Sequence, residues 1–195
     1  MITPAETQKL TAAEFHQMDF ADDDSHLYEL LNGELVKKRA PAPRHQLILA
    51  ELYDQVKSFA KQHQAGRVLF APVDVFLDDM TAPQPDLVFV GTDRLNLITS
   101  DGIMGVPTLV AEIISPSSIY HDCVIKKGLY ERFGVQEYWL IDPADAYIEV
   151  FALQTQSGTQ QPARYELLSA ASVVEGVLTS HVLPGLTLDL VALFA

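Results

Sequence analysis

Glu112 stands inside the apolar run Leu109-Val110-Ala111-Glu112-Ile113-Ile114, and Asp86 opens a second run, Asp86-Leu87-Val88-Phe89-Val90. Runs of this kind predict strands buried on both faces, because a half-buried strand alternates apolar and polar residues. An ionised carboxylate in such a strand costs on the order of several kcal/mol unless a cation or hydrogen-bond donors compensate it. Neighbouring strands lie about 4.8 Å apart, so two carboxylates on adjacent strands, pointing to one face, can grip one small cation. Oxygen-only ligation suits Mg²⁺ or Mn²⁺. Such an ion polarises a phosphoryl oxygen and lowers the pKa of a bound water, which is the equipment for phosphodiester hydrolysis. The alternative is that the acids cap strand ends or pair with a basic residue.

A second group of polar residues follows Glu112 in the chain. Residues 119–133 read as a helix, with Ser115-Pro116-Ser117-Ser118 before it as a strand stop and source of capping hydroxyls. On a regular helical wheel Ile125, Leu129, Phe133 and Tyr130 define the buried face, and Asp122 and Lys126 fall on that face. Lys127 and Tyr120 fall outside it. Asp122, Lys126 and Tyr130 are spaced i, i+4, i+8 and form a polar stripe within an apolar arc. An ammonium beside two metal-binding carboxylates can orient an attacking water or stabilise a pentavalent phosphoryl transition state. The alternative is an internal Asp122–Lys126 pair, worth about 0.2–0.5 kcal/mol.

The elements that must position these residues can be read in order. Thr11-Ala12-Ala13-Glu14 is a capping-box pattern and predicts a short helix, followed by an acidic loop at Asp22-Asp23-Asp24. Tyr28-Glu29-Leu30-Leu31, Asn32-Gly33 and Glu34-Leu35-Val36-Lys37 predict a hairpin with a type I′ turn. Pro41 and Pro43 break the chain. Residues 44–64 carry a helical pattern through Leu47, Ala50, Leu52, Val56 and Phe59, with Gly66 as the C′ stop. Short strands are expected at 67–70 and 73–77, then an Asp78-Asp79 turn. After the strands at Asp86 and Glu112 and the helix ending at Gly134, Glu137-Tyr138-Trp139-Leu140-Ile141-Asp142 reads as a strand. Late antiparallel strands are expected at 147–153 and 164–168, separated by a polar loop at 154–161, and a terminal turn of helix within 188–194. The order is mixed α and β, with a strand–helix–strand unit in the middle.

The chain has 195 residues, which predicts one domain over 1–195, with residues 1–14 as a flexible N-terminal segment. Its 48% apolar content suffices for a substantial core. No apolar stretch approaches the roughly 20 residues that span a bilayer, and the N-terminal residues lack the pattern of a signal peptide, so no membrane association and a cytoplasmic location are expected. A lone cysteine, Cys123, excludes an internal disulfide and a cysteine-rich zinc site. The formal net charge of −13 argues against broad nucleic-acid affinity, which rests on Lys and Arg neutralising phosphates. It leaves room for a local basic rim from Lys37, Lys38, Arg39 and Arg44, then Lys126, Lys127 and Arg132.

Several motifs together carry a family resemblance. Gln84-Pro85-Asp86-Leu87, Ala111-Glu112-Ile113-Ile114-Ser115-Pro116-Ser117 and Gly134-Val135-Gln136-Glu137-Tyr138-Trp139-Leu140-Ile141-Asp142-Pro143 resemble the Uma-type restriction endonuclease family of the PD-(D/E)XK nuclease superfamily. Tyr28–Val36 and Leu183-Pro184-Gly185-Leu186 resemble its opening hairpin and C-terminal end. The resemblance implies an α/β (α+β), restriction-endonuclease-like core. That core is a mixed central sheet flanked by helices, with additional antiparallel strands at the N- and C-terminal ends. It implies Asp86 and Glu112 as metal ligands, with Glu29 at an acidic position near the metal as a third. The superfamily's usual lysine lies two residues after the Glu, where this chain has Ile114; Lys126 matches the position to which that lysine moves in this family.

The function expected is a metal-dependent endonuclease acting on DNA, using Mg²⁺ or Mn²⁺, with a homodimer suited to cutting two strands. Asp86, Glu112 and Lys126 are its expected catalytic residues. Glu29, Gln84, His45, Asp122 and Tyr130 are secondary candidates: His45 for a phosphate or bound water, Gln84 for a contact from the loop before Asp86. Two other functions fit the same residues. One is a non-catalytic interaction or dimerisation protein that retains the fold; the other is a metal-dependent hydrolase of a small phosphate ester, which tolerates an acidic surface better. No helix carries an obvious base-reading stripe of Arg, Asn and Gln.

Overall fold

A computed structural model describes residues 9–18, 26–155 and 162–195. The expected acidic loop at Asp22-Asp23-Asp24 and residues 156–161 of the expected polar loop lie outside the described residues, as do residues 1–8. The order of elements is α1 (Ala12–His16), β1 (Leu27–Leu31), β2 (Glu34–Lys38), α2 (Pro43–Gln62), β3 (Gly66–Phe70), β4 (Val75–Phe76) and β5 (Leu87–Gly91). A 3₁₀ turn (Thr92–Leu97) leads to β6 (Ile103–Met104) and β7 (Leu109–Ile113). A π-helical turn (His121–Lys126) then runs into α3 (Lys127–Phe133), followed by β8 (Glu137–Asp142), β9 (Tyr147–Gln154), β10 (Arg164–Ser172) and α4 (Leu190–Leu193).

Six strands form the central sheet in the order β10-β9-β8-β7-β5-β3. Only β7 and β8 pair in parallel; the other neighbours are antiparallel. A parallel pair needs a crossover, and the π turn with α3 supplies it. The sheet is therefore mixed, and β1–β2 adds an antiparallel hairpin at the N-terminal end. Among the described residues no helix is long and apolar enough to cross a membrane.

Alternation along β7 divides its side chains between two cores. Leu109, Ala111 and Ile113 pack with Ile48, Leu52 and Val56 of α2. Val110 packs with Tyr130, Val135 and Tyr138 on the other face. Glu112 shares the parity of Val110, so it points toward the π turn and α3, away from α2. Leu87 of β5 stands opposite Ala111, which sets Asp86 opposite Glu112 on the neighbouring strand.

Local chemistry explains the ends of the elements. Thr11 and Glu14 form the full capping box of α1. The hairpin turns through Asn32 and Gly33 with φ of 52° and 81°, the left-handed pair of a type I′ turn. Pro43 opens α2 as its first residue, where a missing N–H costs nothing, so it starts the helix rather than breaking the chain. The expected stop at Gly66 is corrected. Gln64 takes the left-handed conformation with φ of 51°, and the Ala65 amide reaches the Ala60 carbonyl at 2.9 Å, closing a Schellman motif. Gly66 instead begins β3, where a Cβ would collide with the Val90 carbonyl of the paired strand. The buried face of α2 is Ile48, Leu49, Leu52, Val56 and Ala60. Leu47, expected in the core, is 68% exposed.

Candidate functional site

Three chain segments converge on the end of β7 that carries Glu112. The hairpin carries Glu29, and backbone hydrogen bonds between Leu30 and Ala82 in both directions hold it beside the loop that leads to Asp86. The first turn of α2 brings His45. The π turn and α3 bring Asp122, Lys126 and Tyr130.

Glu112 is 1% exposed. Its Oε1 accepts from Lys126 Nζ at 3.0 Å and from the Tyr130 hydroxyl at 2.9 Å. Lys126 Nζ also lies 2.9 Å from Glu29 Oε2 and 3.8 Å from Asp122 Oδ1. Asp86 Oδ2 accepts from the Ile113 amide at 2.8 Å and meets His45 Nε2 at 3.1 Å. The Gln84 amide donates to Glu29 Oε2 at 3.2 Å, and its carbonyl accepts from Lys38 Nζ at 3.0 Å. Its side chain goes to Asp74 instead, at 2.8 Å, so Gln84 joins the site through its backbone. Glu29, Asp86, Asp122 and Lys126 are all buried with Glu112.

The stripe begins in the π turn. Its wider i→i+5 turn inserts one residue relative to an α-helix, and Asp122 and Lys126 are its buried residues. Ile125, the origin of the helical wheel, is only half-buried for the same reason. The Tyr138 hydroxyl of β8 donates to the Asp122 carbonyl at 3.0 Å and ties the turn to the sheet. The serines before it bond chiefly among themselves, as in Ser115 Oγ to Ser118 Oγ at 3.0 Å.

Burial and charge divide the acids. Burial alone pushes Asp86 up, but the His45 hydrogen bond, the charges of Lys38 and His45 and the Ile113 amide outweigh it and hold its carboxyl below the usual value. Burial likewise opposes ionisation of Glu29, and Lys126 and Lys38 overcome it, so Glu29 is lowered too. Glu112 goes the other way: burial pushes it up to about 8, against the pull of Lys126 and with help from Asp122 and Asp86. Asp122 is raised, chiefly by burial. Burial pulls Lys126 down, but Glu112, Glu29, Asp122 and Asp86 together raise it well above its ordinary value. Burial and charge thus favour the ammonium form of Lys126 and oppose ionisation of Glu112 and Asp122, because three buried carboxylates meet one buried ammonium with a fourth, Asp86, nearby.

This surplus of negative charge fits a hard divalent cation such as Mg²⁺ or Mn²⁺. Among the described residues, every hydrogen bond to the two facing acids goes to Asp86 Oδ2 or Glu112 Oε1, and Oδ1 and Oε2 are the oxygens that could hold an ion. No group of three or more His, Cys, Asp or Glu among the described residues is arranged to hold an ion. Glu29, expected as a third ligand, has Lys126 and the Gln84 amide as its partners. A site of two carboxylates suits Mg²⁺, which keeps several waters and takes its remaining ligands from a substrate phosphate.

A family model described as "Putative restriction endonuclease", Uma2, matches residues 12–190. The chain belongs to the Uma2 family. A crystal structure described as a putative nuclease belonging to DUF820, from Anabaena variabilis, is similar across 95% of this chain and 97% of that one, with a TM-score of 0.71 and 20% identity. The likeness establishes the restriction-endonuclease-like fold. No curated protein matches the chain. In this Uma2 member, Ile114 is half-buried against the cluster that contains Tyr130 and Tyr138, and Lys126 is the cation that meets Glu112.

Lys38, one of the residues expected in a basic rim, donates to the Gln84 carbonyl, a contact that depends on the hairpin docking against the loop. One buried acid escaped the sequence analysis. Glu137 is a fully buried acid, and the criterion that picks out Glu112 applies equally to it. Its carboxylate accepts from Trp139 Nε1 at 3.0 Å, the Ser180 hydroxyl at 2.8 Å, the Val182 amide at 3.1 Å and the His181 amide. Glu137 therefore fastens the C-terminal segment to β8.

Proposed function

We propose that this chain is a metal-dependent endonuclease that hydrolyses DNA phosphodiester bonds. The facing pair Asp86 and Glu112 carries the reading, since each has a free oxygen and the site has a surplus of buried negative charge. The description of the family and that of the DUF820 neighbour point the same way. A divalent cation held by the two acids supplies a Lewis acid at the phosphoryl oxygen.

The protein's own groups set the stage for that chemistry. His45 and the Ile113 amide hold Asp86 Oδ2, so the carboxylate presents Oδ1. Tyr130 and Lys126 hold Glu112 Oε1 in the same way, so Oε2 would be the atom that holds a cation, which binds the ionised carboxylate. Glu29 and Asp122 fix the Lys126 ammonium, and Glu29 acts on the ion only indirectly. Two copies of the chain in a homodimer would offer two such centres to two strands.

The test is cleavage of plasmid and oligonucleotide DNA with Mg²⁺ or Mn²⁺ by wild type, Asp86→Asn and Glu112→Gln. Cleavage by wild type and its loss in both variants supports the reading; equal cleavage by all three overturns the site. The net charge of −13 favours a second reading, hydrolysis of a small phosphate ester. A nucleotide monoester and a small diester in the same assay distinguish it, since turnover of these without DNA cleavage selects that substrate class.

A further inference from the structure

Lys126 is badly placed to meet a phosphate. An ammonium has three N–H groups, and this one faces three carboxylates, at 2.9, 3.0 and 3.8 Å, from a side chain that is 1% exposed. Turning one donor toward a substrate strips a buried acid of its partner. Phosphoryl transfer nonetheless benefits from a fixed cation facing the oxygens on which charge develops. Two other basic residues of the same region are committed elsewhere. Lys127 lies over the Phe151 ring at 3.2 Å, and Arg132 donates to Asn32 Oδ1 at 2.8 Å.

We propose that Lys38 is the phosphate-contacting cation of this centre, a role that rests on the nuclease reading above. Lys38 ends β2 in a half-buried position. It donates one N–H to the Gln84 carbonyl at 3.0 Å, its one hydrogen bond among the described residues. Two donors remain for a ligand. Gln84 is two residues before Asp86, and its amide is held by Glu29, so the ammonium is anchored at the edge of the acid cluster. Glu29, Asp86, Glu112 and Asp122 all feel its charge. Lys126 then serves as the interior counter-charge, and Lys38 as the cation with solvent access that greets the incoming phosphate. Anchoring by a backbone carbonyl fixes the ammonium before substrate arrives, which is the preorganisation such stabilisation requires.

The test compares wild type, Lys38→Gln and Lys38→Arg in two assays. One is single-turnover DNA cleavage in Mg²⁺; the other is binding of a duplex oligonucleotide in Ca²⁺ over a range of salt. Lys38→Gln is expected to slow cleavage about 10²-fold and to reduce the slope of log K against log salt by about 0.9, the signature of one lost phosphate contact. Lys38→Arg keeps the wild-type slope. Lys38→Met, which keeps the apolar stem, carries the comparison if Lys38→Gln does not fold. A wild-type rate and slope in the neutral variants overturn the proposal. A slower rate with an unchanged slope also overturns it, because that is what a merely structural grip on Gln84 produces. A wild type that neither binds nor cleaves DNA fails the nuclease reading itself, and Lys38 with it.

Discussion

Replacing Lys126 with Met leaves Glu29, Glu112 and Asp122 without their shared counter-charge. Removing one partner from a buried ion cluster costs about 3–5 kcal/mol, and the shift in denaturation midpoint measures it; a change under about 1 kcal/mol contradicts the buried-cluster account. Glu112 gives a pH test in the absence of divalent metal. Its folded value of about 8 lies above the ordinary 4.5. The folded protein therefore holds a proton that the unfolded chain has lost between those values. The associated stability is complete below about 4.5 and disappears as pH rises through about 8. Melting temperatures of Glu112→Gln should accordingly gain on wild type across that window, and a constant gap would sink the assignment. Both acids and Lys126 were legible in the sequence because a charge inside an apolar pattern is an energetic exception. Glu137 shows the limit of that logic. It is the same exception, resolved by four hydrogen bonds from the chain itself, and only the position of the C-terminal segment reveals it.

The π turn brings Asp122 and Lys126 to the acid cluster. Deleting Val124, which is 52% exposed, should return the segment to α-helical spacing with little loss of buried surface. Asp122 then rotates away from Lys126 relative to Tyr130. Misplacement of about 1 Å at a catalytic centre costs about 10²-fold, so cleavage should fall by that order while the circular dichroism spectrum stays that of a folded protein. Unchanged activity would show that the wide turn is incidental. A regular helical wheel placed Asp122, Lys126 and Tyr130 on the buried face because they stay on one side in either geometry. It misjudged Ile125 because it assumes a constant angle per residue. The hairpin and the capping box were read correctly, since both are written in local side-chain chemistry. The end of α2 was not: Gln64 does there what glycine usually does, and Gly66 answers to the strand beside it.

At the scale of the whole molecule the net charge of −13 opposes DNA binding. Under the proposed function the metal would be part of the binding surface: without divalent cation the acid cluster would repel phosphate, and with it the centre and Lys38 would form a local positive point. Oligonucleotide affinity, read by fluorescence anisotropy, should rise at least about tenfold when Mg²⁺ or Ca²⁺ is added at constant ionic strength, a coupling of about 1.4 kcal/mol. Affinity indifferent to the cation would favour a non-catalytic role. The mixed α and β order was legible in the sequence. The strand order β10-β9-β8-β7-β5-β3 was not, because the pairing of β5 with β7 and the docking of the hairpin on Ala82 are long-range contacts that no local pattern encodes.

The central claim is that Asp86 and Glu112 share one cation, and anomalous diffraction from crystals soaked in Mn²⁺ tests it most directly. A single strong peak is expected within bonding distance of Asp86 Oδ1 and Glu112 Oε2, absent from Glu112→Gln crystals soaked in the same way. A saturating soak that shows no peak there, or one unaffected by the substitution, would contradict it.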